Sequence, residues 1–254
     1  MLLPSSKHIE VMLGGDSVQL ALSEGAEAHS RTERRVAAGE GGRFDSLIAC
    51  VAALAAELDA LVASGTAIRG ARVDVAVADR WLIYDIVEID LRDLSGRAAE
   101  PAVAALLADL AGVAPASLAA RWQTIAEPAL QLACAMPADA VAALAQLVRR
   151  HGLRWGRVQG EFIRAFNSHR DELDGGTAAL AVIRPNGAQI GVVASGALAA
   201  LHYEEGSPVL DRLAAICENL VRRAGHEIDN SMRYLADSTQ VELSAPWSGL
   251  APAK

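Results

Sequence analysis

The hydrophobic pattern alternates between strand-like and helix-like segments along the whole chain. This alternation favours an α/β architecture over a helical bundle or a β-sandwich. Apolar runs within 9–22 and 180–193 flank Gly14-Gly15-Asp16-Ser17 and Pro185-Asn186-Gly187, so each segment is predicted to form a β-hairpin. Apolar residues recur at helical spacing over 44–63, which predicts a long helix.

The other predicted elements continue the same alternation. Strands are expected at 34–37, 73–77, 81–91, 130–136, near 158 and at 198–203. Helices are expected at 101–111 with Pro101 in the first turn, at 139–151, at 162–166 and at 207–224. A polar stretch at 167–176 suggests a boundary, so we predict a first lobe at 1–170, a second, shortened lobe at 171–240 and a loose C-terminal tail at 241–254.

Composition and charge narrow the classes of partner. The chain has 254 residues, 52% of them hydrophobic, so it can bury a substantial core. A net charge of −8 argues against a nucleic-acid partner or an anionic membrane surface. The most apolar stretch, 47–56, is followed by Glu57 and Asp59, so no membrane span is expected. The first seven residues lack the pattern of a signal peptide, and we therefore expect a cytoplasmic protein.

Signatures of catalysis and of metal binding are missing from the sequence. It contains no GxSxG, HExxH, Walker-type or GxGxxG motif. The three cysteines, Cys50, Cys134 and Cys217, are far apart and lie in apolar runs, which speaks against a disulfide framework or a CxxC site. The six histidines show no ligand pairing at helical spacing. We therefore expect no catalytic residue, no metal and no cofactor.

The two predicted hairpins align without gaps at an offset of 170 residues. Leu13 falls on Ile183, Asp16 on Asn186, Ser17 on Gly187 and Gln19 on Gln189. Any two glycine-turn hairpins look alike, but the order of elements adds to the match. A hairpin, a strand, a helix and βα units, followed by a second hairpin with a strand and a helix, resembles the layout of the actin-like ATPase superfamily. The resemblance implies a two-lobed fold whose halves each begin with such a hairpin.

A closer resemblance rests on the middle of the chain. Segment 130–137 is a strand ending in proline, 141–153 is a helix ending in His-Gly-Leu, and 158–166 is a strand leading into a helix that ends near Arg-Ala. This series is similar to the PilM/GspL family of pilus-assembly and type II secretion proteins. The alternative of an α/β protein unrelated to actin stays open at this point.

The resemblance also assigns the positions of a nucleotide site. Active members of the superfamily carry Asp-x-Gly in each hairpin, where the carboxylate organises Mg²⁺. In this chain the first Asp position falls on Met12 and its glycine on Gly14, and the second pair falls on Val182 and Arg184. The degenerate nucleotide-cleft positions are Met12, Gly14, Gly15, Asp16, Ser17, Val182, Asn186 and Gly187.

Two other carboxylates could take the missing role. Asp16 lies at a hairpin tip, where aspartate is favoured for turn geometry alone, and Asp174 precedes its strand instead of following it. The resemblance therefore implies a non-catalytic cytoplasmic scaffold of a type IV pilus or type II secretion assembly platform. Its expected partner is an inner-membrane protein with a short cytoplasmic segment, or a secretion or pilus ATPase. The alternative is a nucleotide-binding ATPase or sugar-kinase-like enzyme, and the oligomeric state stays open.

Overall fold

The computed structural model describes residues 7–25, 27–36, 44–125, 129–173, 176–207, 209–227, 233–236 and 247–250. The chain divides into two compact units. Unit 1 consists of Met1–Trp81 and Met136–Gly160, and unit 2 consists of Leu82–Ala135 and Glu161–Lys254. Unit 1 is thus discontinuous in sequence, whereas the sequence pattern placed a single boundary near residue 170.

Unit 1 is built on a five-stranded sheet in the order β3-β2-β1-β4-β8. The first three strands form an antiparallel meander, β4 is parallel to β1, and β8 is parallel to β4. The strands are β1 (Lys7–Leu13), β2 (Ser17–Glu24), β3 (Glu27–Arg35), β4 (Arg72–Val77) and β8 (Arg154–Gly160). In β1, Ile9, Val11 and Leu13 are buried and Glu10 is exposed, so one face of the strand belongs to the core.

Two helices of unit 1, α1 (Asp45–Ala63) and α3 (Ala138–Arg150), pack against each other, and α1 also contacts β1 and β2. By length and composition, Ser46–Ala63 is apolar enough to cross a membrane, with a mean hydropathy of 2.0. In the structure this helix buries Leu54 and Leu58 completely, and its Glu57 pairs with Arg34 of β3 at 3.2 Å. The buried leucines and the contacts with β1, β2 and α3 make α1 a core helix of unit 1.

Unit 2 contains a second five-stranded sheet, in the order β11-β10-β9-β12-β13. Its strands are β9 (Thr177–Arg184), β10 (Gly187–Ala194), β11 (Ala197–Glu205), β12 (Arg233–Ala236) and β13 (Trp247–Gly249). Its helices are α4 (Glu161–Ser168), α5 (Arg170–Leu173) and α6 (Leu210–Arg223). Phe162 and Phe166 of α4 pack with Leu180 and Val182 of β9, which explains why 161–170 belongs to unit 2.

An inserted segment of unit 2 forms a three-stranded sheet in the order β5-β7-β6 with one helix. Its elements are β5 (Ile83–Glu88), α2 (Gly96–Ala111), β6 (Leu118–Thr124) and β7 (Leu130–Pro137). The sequence pattern missed β6 and started α2 too late. Helix α2 begins at Gly96 and includes Pro101, which lacks an N–H and so leaves the carbonyl of Arg97 without a helical donor. The segment belongs to unit 2 because β5 lies beside β11.

The predicted internal repeat extends over three strands. Leu13 pairs with Val18, and Ile183, 170 residues later, pairs with Ala188. The second pair of strands has the same offset, since β2 and β3 correspond to β10 and β11 residue by residue. Even the register shift is repeated, between Leu22 and Ser23 in unit 1 and between Val192 and Val193 in unit 2. Each meander is followed by a helix and by a strand parallel to its first strand, β4 or β12.

Two further local predictions differ from the structure. Gly187 does not lie at the centre of its turn, because it pairs with Arg184 and leaves Pro185 and Asn186 as the two central residues. Within the predicted loose tail, Trp247–Gly249 forms β13, parallel to β12, with Trp247 buried in the core on α6. A buried tryptophan holds this segment on the sheet.

Candidate functional site

The turn of the first hairpin is closed by backbone bonds. The N–H of Gly14 donates to the carbonyl of Ser17 at 2.7 Å, and the carbonyl of Asp16 accepts the N–H of Val36 at 2.7 Å. The Asp16 side chain is exposed at the tip, and Met12 is half-buried opposite Gln19 on β2. Asp16 therefore lies where a turn favours aspartate. A Cβ on Gly14 would lie 3.0 Å from the Ser17 Oγ, so the turn leaves little room for a side chain there.

Cys50 of α1 contacts this turn from the buried side. Its Sγ donates to the carbonyl of Gly14 at 3.8 Å, and its side chain is completely buried. Burial raises the pKa of the Cys50 thiol to about 11, and the negative charge of Asp16 contributes to the increase. The thiol is therefore protonated at neutral pH and is not a nucleophile.

The sequence pattern did not point to one buried carboxylate near this turn. Asp79 lies in a short 3₁₀ helix, Asp79–Trp81, directly after β4. The N–H of Ala78 donates to the carbonyl of Leu13 at 2.8 Å, which brings the ends of β4 and β1 together. The signal that would have found Asp79 is its position after a β-branched strand, because the carboxyl ends of parallel strands are common ligand sites.

The turn of the second hairpin is covered by β11. The carbonyl of Asn186 accepts the hydroxyl of Tyr203 at 3.3 Å and the N–H of Gly206 at 3.1 Å. A Cβ on Gly187 would lie 2.6 Å from Cζ of Tyr203 and 2.7 Å from the carbonyl oxygen of Glu204. The packing of Tyr203 thus accounts for this glycine, without any approach of a phosphate.

An ion pair occupies the base of the second turn. Arg184 donates from Nε to Glu161 Oε1 at 3.1 Å and from its terminal nitrogen to the same oxygen at 2.7 Å. The Glu161 side chain is only 5% exposed and opens α4. Arg184 stands where the resemblance implies a glycine next to a phosphate. A guanidinium that donates two hydrogen bonds to a buried carboxylate is held in one position and has a structural role.

These groups limit what the two turns can do chemically. Val182 is buried opposite Gln189, and neither Val182 nor Met12 offers the oxygen ligands that Mg²⁺ prefers. Among the described residues there is no group of three or more His, Cys, Asp or Glu side chains that could hold a metal. Asp174, the other candidate carboxylate, lies outside the described residues. The structure brings Gly14, Gly15, Asp16 and Ser17 together in one turn and Asn186 and Gly187 in the other.

A second polar cluster of unit 1 centres on Asp74 of β4. Its Oδ1 accepts the N–H of Arg157 at 2.6 Å and the Nε of Arg72 at 3.2 Å, and its Oδ2 lies 3.1 Å from Nε2 of His8. Burial alone would raise the pKa of Asp74, but the bonds from Arg157, Arg72 and His8 outweigh it and lower the pKa. The carboxylate lies directly over Gly156, at the register shift between β4 and β8.

Comparisons with known proteins identify the fold. No family model matches the sequence, and neither does any curated protein. A Bacteroides thetaiotaomicron protein with an actin-like ATPase fold and unknown function matches 92% of this chain and 82% of its own, with a TM-score of 0.59 and 11% identity. The chain therefore has the actin-like ATPase fold, as the order of its elements predicted.

Two further solved structures carry the closer resemblance. The PilM–PilN type IV pilus biogenesis complex matches 91% of this chain and 81% of its own, with a TM-score of 0.61 and 15% identity. The cytoplasmic domain of EpsL, an inner-membrane component of the Vibrio cholerae type II secretion system, matches 98% and 91%, with a TM-score of 0.56 and 11% identity. The predicted resemblance to pilus and type II secretion proteins is confirmed at the level of the fold.

Proposed function

We propose that this chain is a non-catalytic scaffold of a type IV pilus or type II secretion assembly platform, in the cytoplasm and attached to the inner membrane through its partners. Its partner would be a cytoplasmic segment of an inner-membrane protein or a secretion or pilus ATPase. The fold similarity to PilM and to the EpsL cytoplasmic domain supports this assignment. Fold alone does not define a function, whereas the residues of the two hairpin turns bear on the chemistry directly.

The observation that carries the proposal is the chemistry of the two hairpin turns. Met12 and Val182 stand at the positions implied for carboxylates, and the guanidinium of Arg184 is committed to Glu161. Metal-assisted phosphate chemistry needs oxygen ligands and a positioned water, and apolar side chains supply neither. A chain that keeps the actin-like fold without these groups is best explained by surfaces that bind partner proteins.

The test is a capture experiment from the native host. The immobilised chain is incubated with detergent-solubilised membranes and with cytosol, and the bound proteins are identified by mass spectrometry. We expect an inner-membrane protein with a short cytoplasmic segment, or a pilus or secretion ATPase, and neither should bind an unrelated acidic α/β protein of similar size. Recovery of only metabolic enzymes or nucleic acid, repeated at low salt, would refute the proposal.

The alternative is a nucleotide-binding ATPase or a sugar-kinase-like enzyme of the same superfamily. In that case Asp174, or Asp16 with its exposed side chain at the tip of its turn, would have to organise the metal. Binding and turnover of ATP distinguish the two functions.

A further inference from the structure

The sheet of unit 1 ends in two strands of different character. β3 forms one edge, and its exposed side chains include Arg31, Glu33, Arg34 and Arg35. Charged edges of this kind protect a sheet from pairing with other chains. β8 forms the other edge, and among the described residues no strand follows it. In unit 2 the strand that corresponds to β3 is β11, and it lies beside β5.

Apolar side chains stand exposed on β8. Trp155 is 44% exposed and Val158 is 46% exposed, although the residues that they pair with on β4, Val73 and Val75, are buried. Exposed tryptophan is costly in water and is enriched where proteins bind one another. We call the outer side of β8, with Arg154, Trp155, Arg157 and Val158, the β8 edge.

The β8 edge is basic in an acidic protein. Residues 149–160 contain four arginines and no aspartate or glutamate, whereas the whole chain carries a net charge of −8. Arg150 is paired with Asp59 at 2.9 Å. Nε of Arg154 donates to the carbonyl of Gly70, and because a carbonyl is neutral this bond does not compensate the charge of Arg154. Arg154 and Arg157 are both exposed.

A local irregularity sets the direction of these side chains. Asp74 accepts the N–H of Arg157 at 2.6 Å, and the pairing of β4 with β8 shifts by one residue between Val73 and Val75. As a result Trp155 and Val158, three residues apart, pair with Val73 and Val75, two residues of β4 that lie on the same face of the sheet. Irregularities of this kind re-aim side chains at sheet edges, often next to binding sites.

We propose that the β8 edge binds an extended acidic segment of a partner protein by strand addition. The inference rests on the proposed scaffold function and names the chemistry of the partner. Main-chain hydrogen bonds to β8 would hold the segment, Trp155 and Val158 would receive its alternate apolar side chains, and Arg154 and Arg157 would select carboxylates. An open strand edge offers main-chain donors and acceptors that an acidic peptide can use and that a lipid headgroup cannot.

The probe is a random dodecapeptide library displayed on phage and selected on the full chain. We expect enriched sequences that alternate acidic with β-branched or aromatic residues. A synthetic peptide of the enriched sequence should bind Arg157→Glu and Trp155→Ala about tenfold or more weakly than the wild type. Its affinity should also fall as salt rises. Arg97→Glu on α2, an exposed arginine of unit 2, makes the same charge change elsewhere and should leave binding unchanged.

Several outcomes would overturn the inference. Enriched peptides without an acidic bias would do so, and so would equal binding by Arg157→Glu and Arg97→Glu. Binding of the wild type to vesicles of phosphatidylglycerol and phosphatidylethanolamine that Arg157→Glu abolishes, with no peptide selected, would assign the edge to a membrane instead. Circular dichroism shows whether Trp155→Ala is folded, and Arg157→Glu keeps the test valid if it is not, because Asp74 bonds only the backbone of Arg157.

The capture experiment separates this inference from the proposed function. If the wild type and Arg157→Glu recover the same pilus or secretion partner equally well, the scaffold function stands and the assignment of the β8 edge is wrong. If no such partner is recovered but acidic peptides are selected and lost in Arg157→Glu, the edge is an acidic-segment site and the scaffold function is wrong.

Discussion

At the scale of single residues, each unit contains a hydrogen-bonded carboxylate, and the two carboxylates differ in burial and in the number of their donors. Glu161 is a buried carboxylate with one guanidinium partner, Arg184. Asp74 is partly exposed and has three donors, from Arg157, Arg72 and His8. The first arrangement is intolerant of losing its partner, because an unpaired buried charge is costly, whereas the second responds to pH.

Arg184→Met should destabilise the protein by about 3 kcal/mol, because it leaves the Glu161 carboxylate buried without a partner. Urea unfolding followed by circular dichroism measures the change. The matched control is Arg121→Met, which breaks the exposed pair with Glu100 and should cost less than about 1 kcal/mol. Equal losses in the two variants would mean that the Arg184–Glu161 pair is solvated. Replacing Glu161 by Gln in the Arg184→Met background should recover part of the loss.

Asp74→Asn should remove part of the acid sensitivity of the fold. The pKa of Asp74 is lowered in the folded state from its ordinary value of 3.8, so its contribution to stability is present above that value and is lost as the pH falls below it. The difference in Tm between the wild type and Asp74→Asn should therefore be largest near neutral pH and shrink below about pH 4. A difference that stays constant between pH 7 and pH 3 would contradict this assignment.

At the scale of elements, the apolar sequence of α1 is compatible both with a membrane and with a protein core. Its composition suits a membrane, yet in unit 1 its apolar stripe lies on β1 and β2 and its Glu57 pairs with Arg34. Helix α4 shows the reverse, because eight residues with two phenylalanines become part of a core only through contact with β9. Burial of one helix face against a sheet decides both cases.

Cys50 reports on whether α1 stays on its sheet. With a pKa of about 11, only about one thiol in a thousand is ionised at pH 8, and the side chain is buried. Iodoacetamide should therefore modify Cys50 only after unfolding in urea, as peptide mass spectrometry would detect, and added lipid vesicles should not change this. Rapid modification of the native protein, absent in Cys50→Ser, would show that α1 leaves the core.

At the scale of the whole molecule, one three-stranded meander is present twice, once in each unit, and the hairpin turns of the two copies carry different residues. The register of three strands repeats at a constant offset, including its shift, so both units follow one plan. The turns differ in what fills them, with Cys50 beneath the first and Tyr203 over the second. The repeat therefore preserves the backbone and not the chemistry of the turns.

ATP with Mg²⁺ should neither stabilise this protein nor be hydrolysed by it. A ligand at 100-fold its Kd would raise the free energy of unfolding by about 2.7 kcal/mol, which a thermal-shift assay detects readily. We expect no shift in Tm and no turnover above the buffer background, since Met12 and Val182 cannot hold the metal. Steady turnover that disappears in Asp16→Ala would favour the enzyme alternative instead.

The sequence by itself determined most of the local elements and their order. Alternation in 9–13 and 18–22, helical spacing in 44–63 and the turn residues between the strands record which face of each segment is buried, and this information is local. The offset of 170 residues was also visible in the sequence, and together with the order of elements it led to the resemblance to the actin-like superfamily. That resemblance assigned the positions Met12, Val182 and Arg184.

Only the tertiary structure decided which distant segments meet. The discontinuous unit 1, the placement of 82–135 beside β11, the Arg184–Glu161 pair and the fit of Asp74 over Gly156 all join residues far apart in sequence. Strand β13 depends on a buried Trp247 in the same way. The physical reason is that a segment's pattern records how much of it is buried, whereas the choice of partner is made by shape and charge across the folded chain.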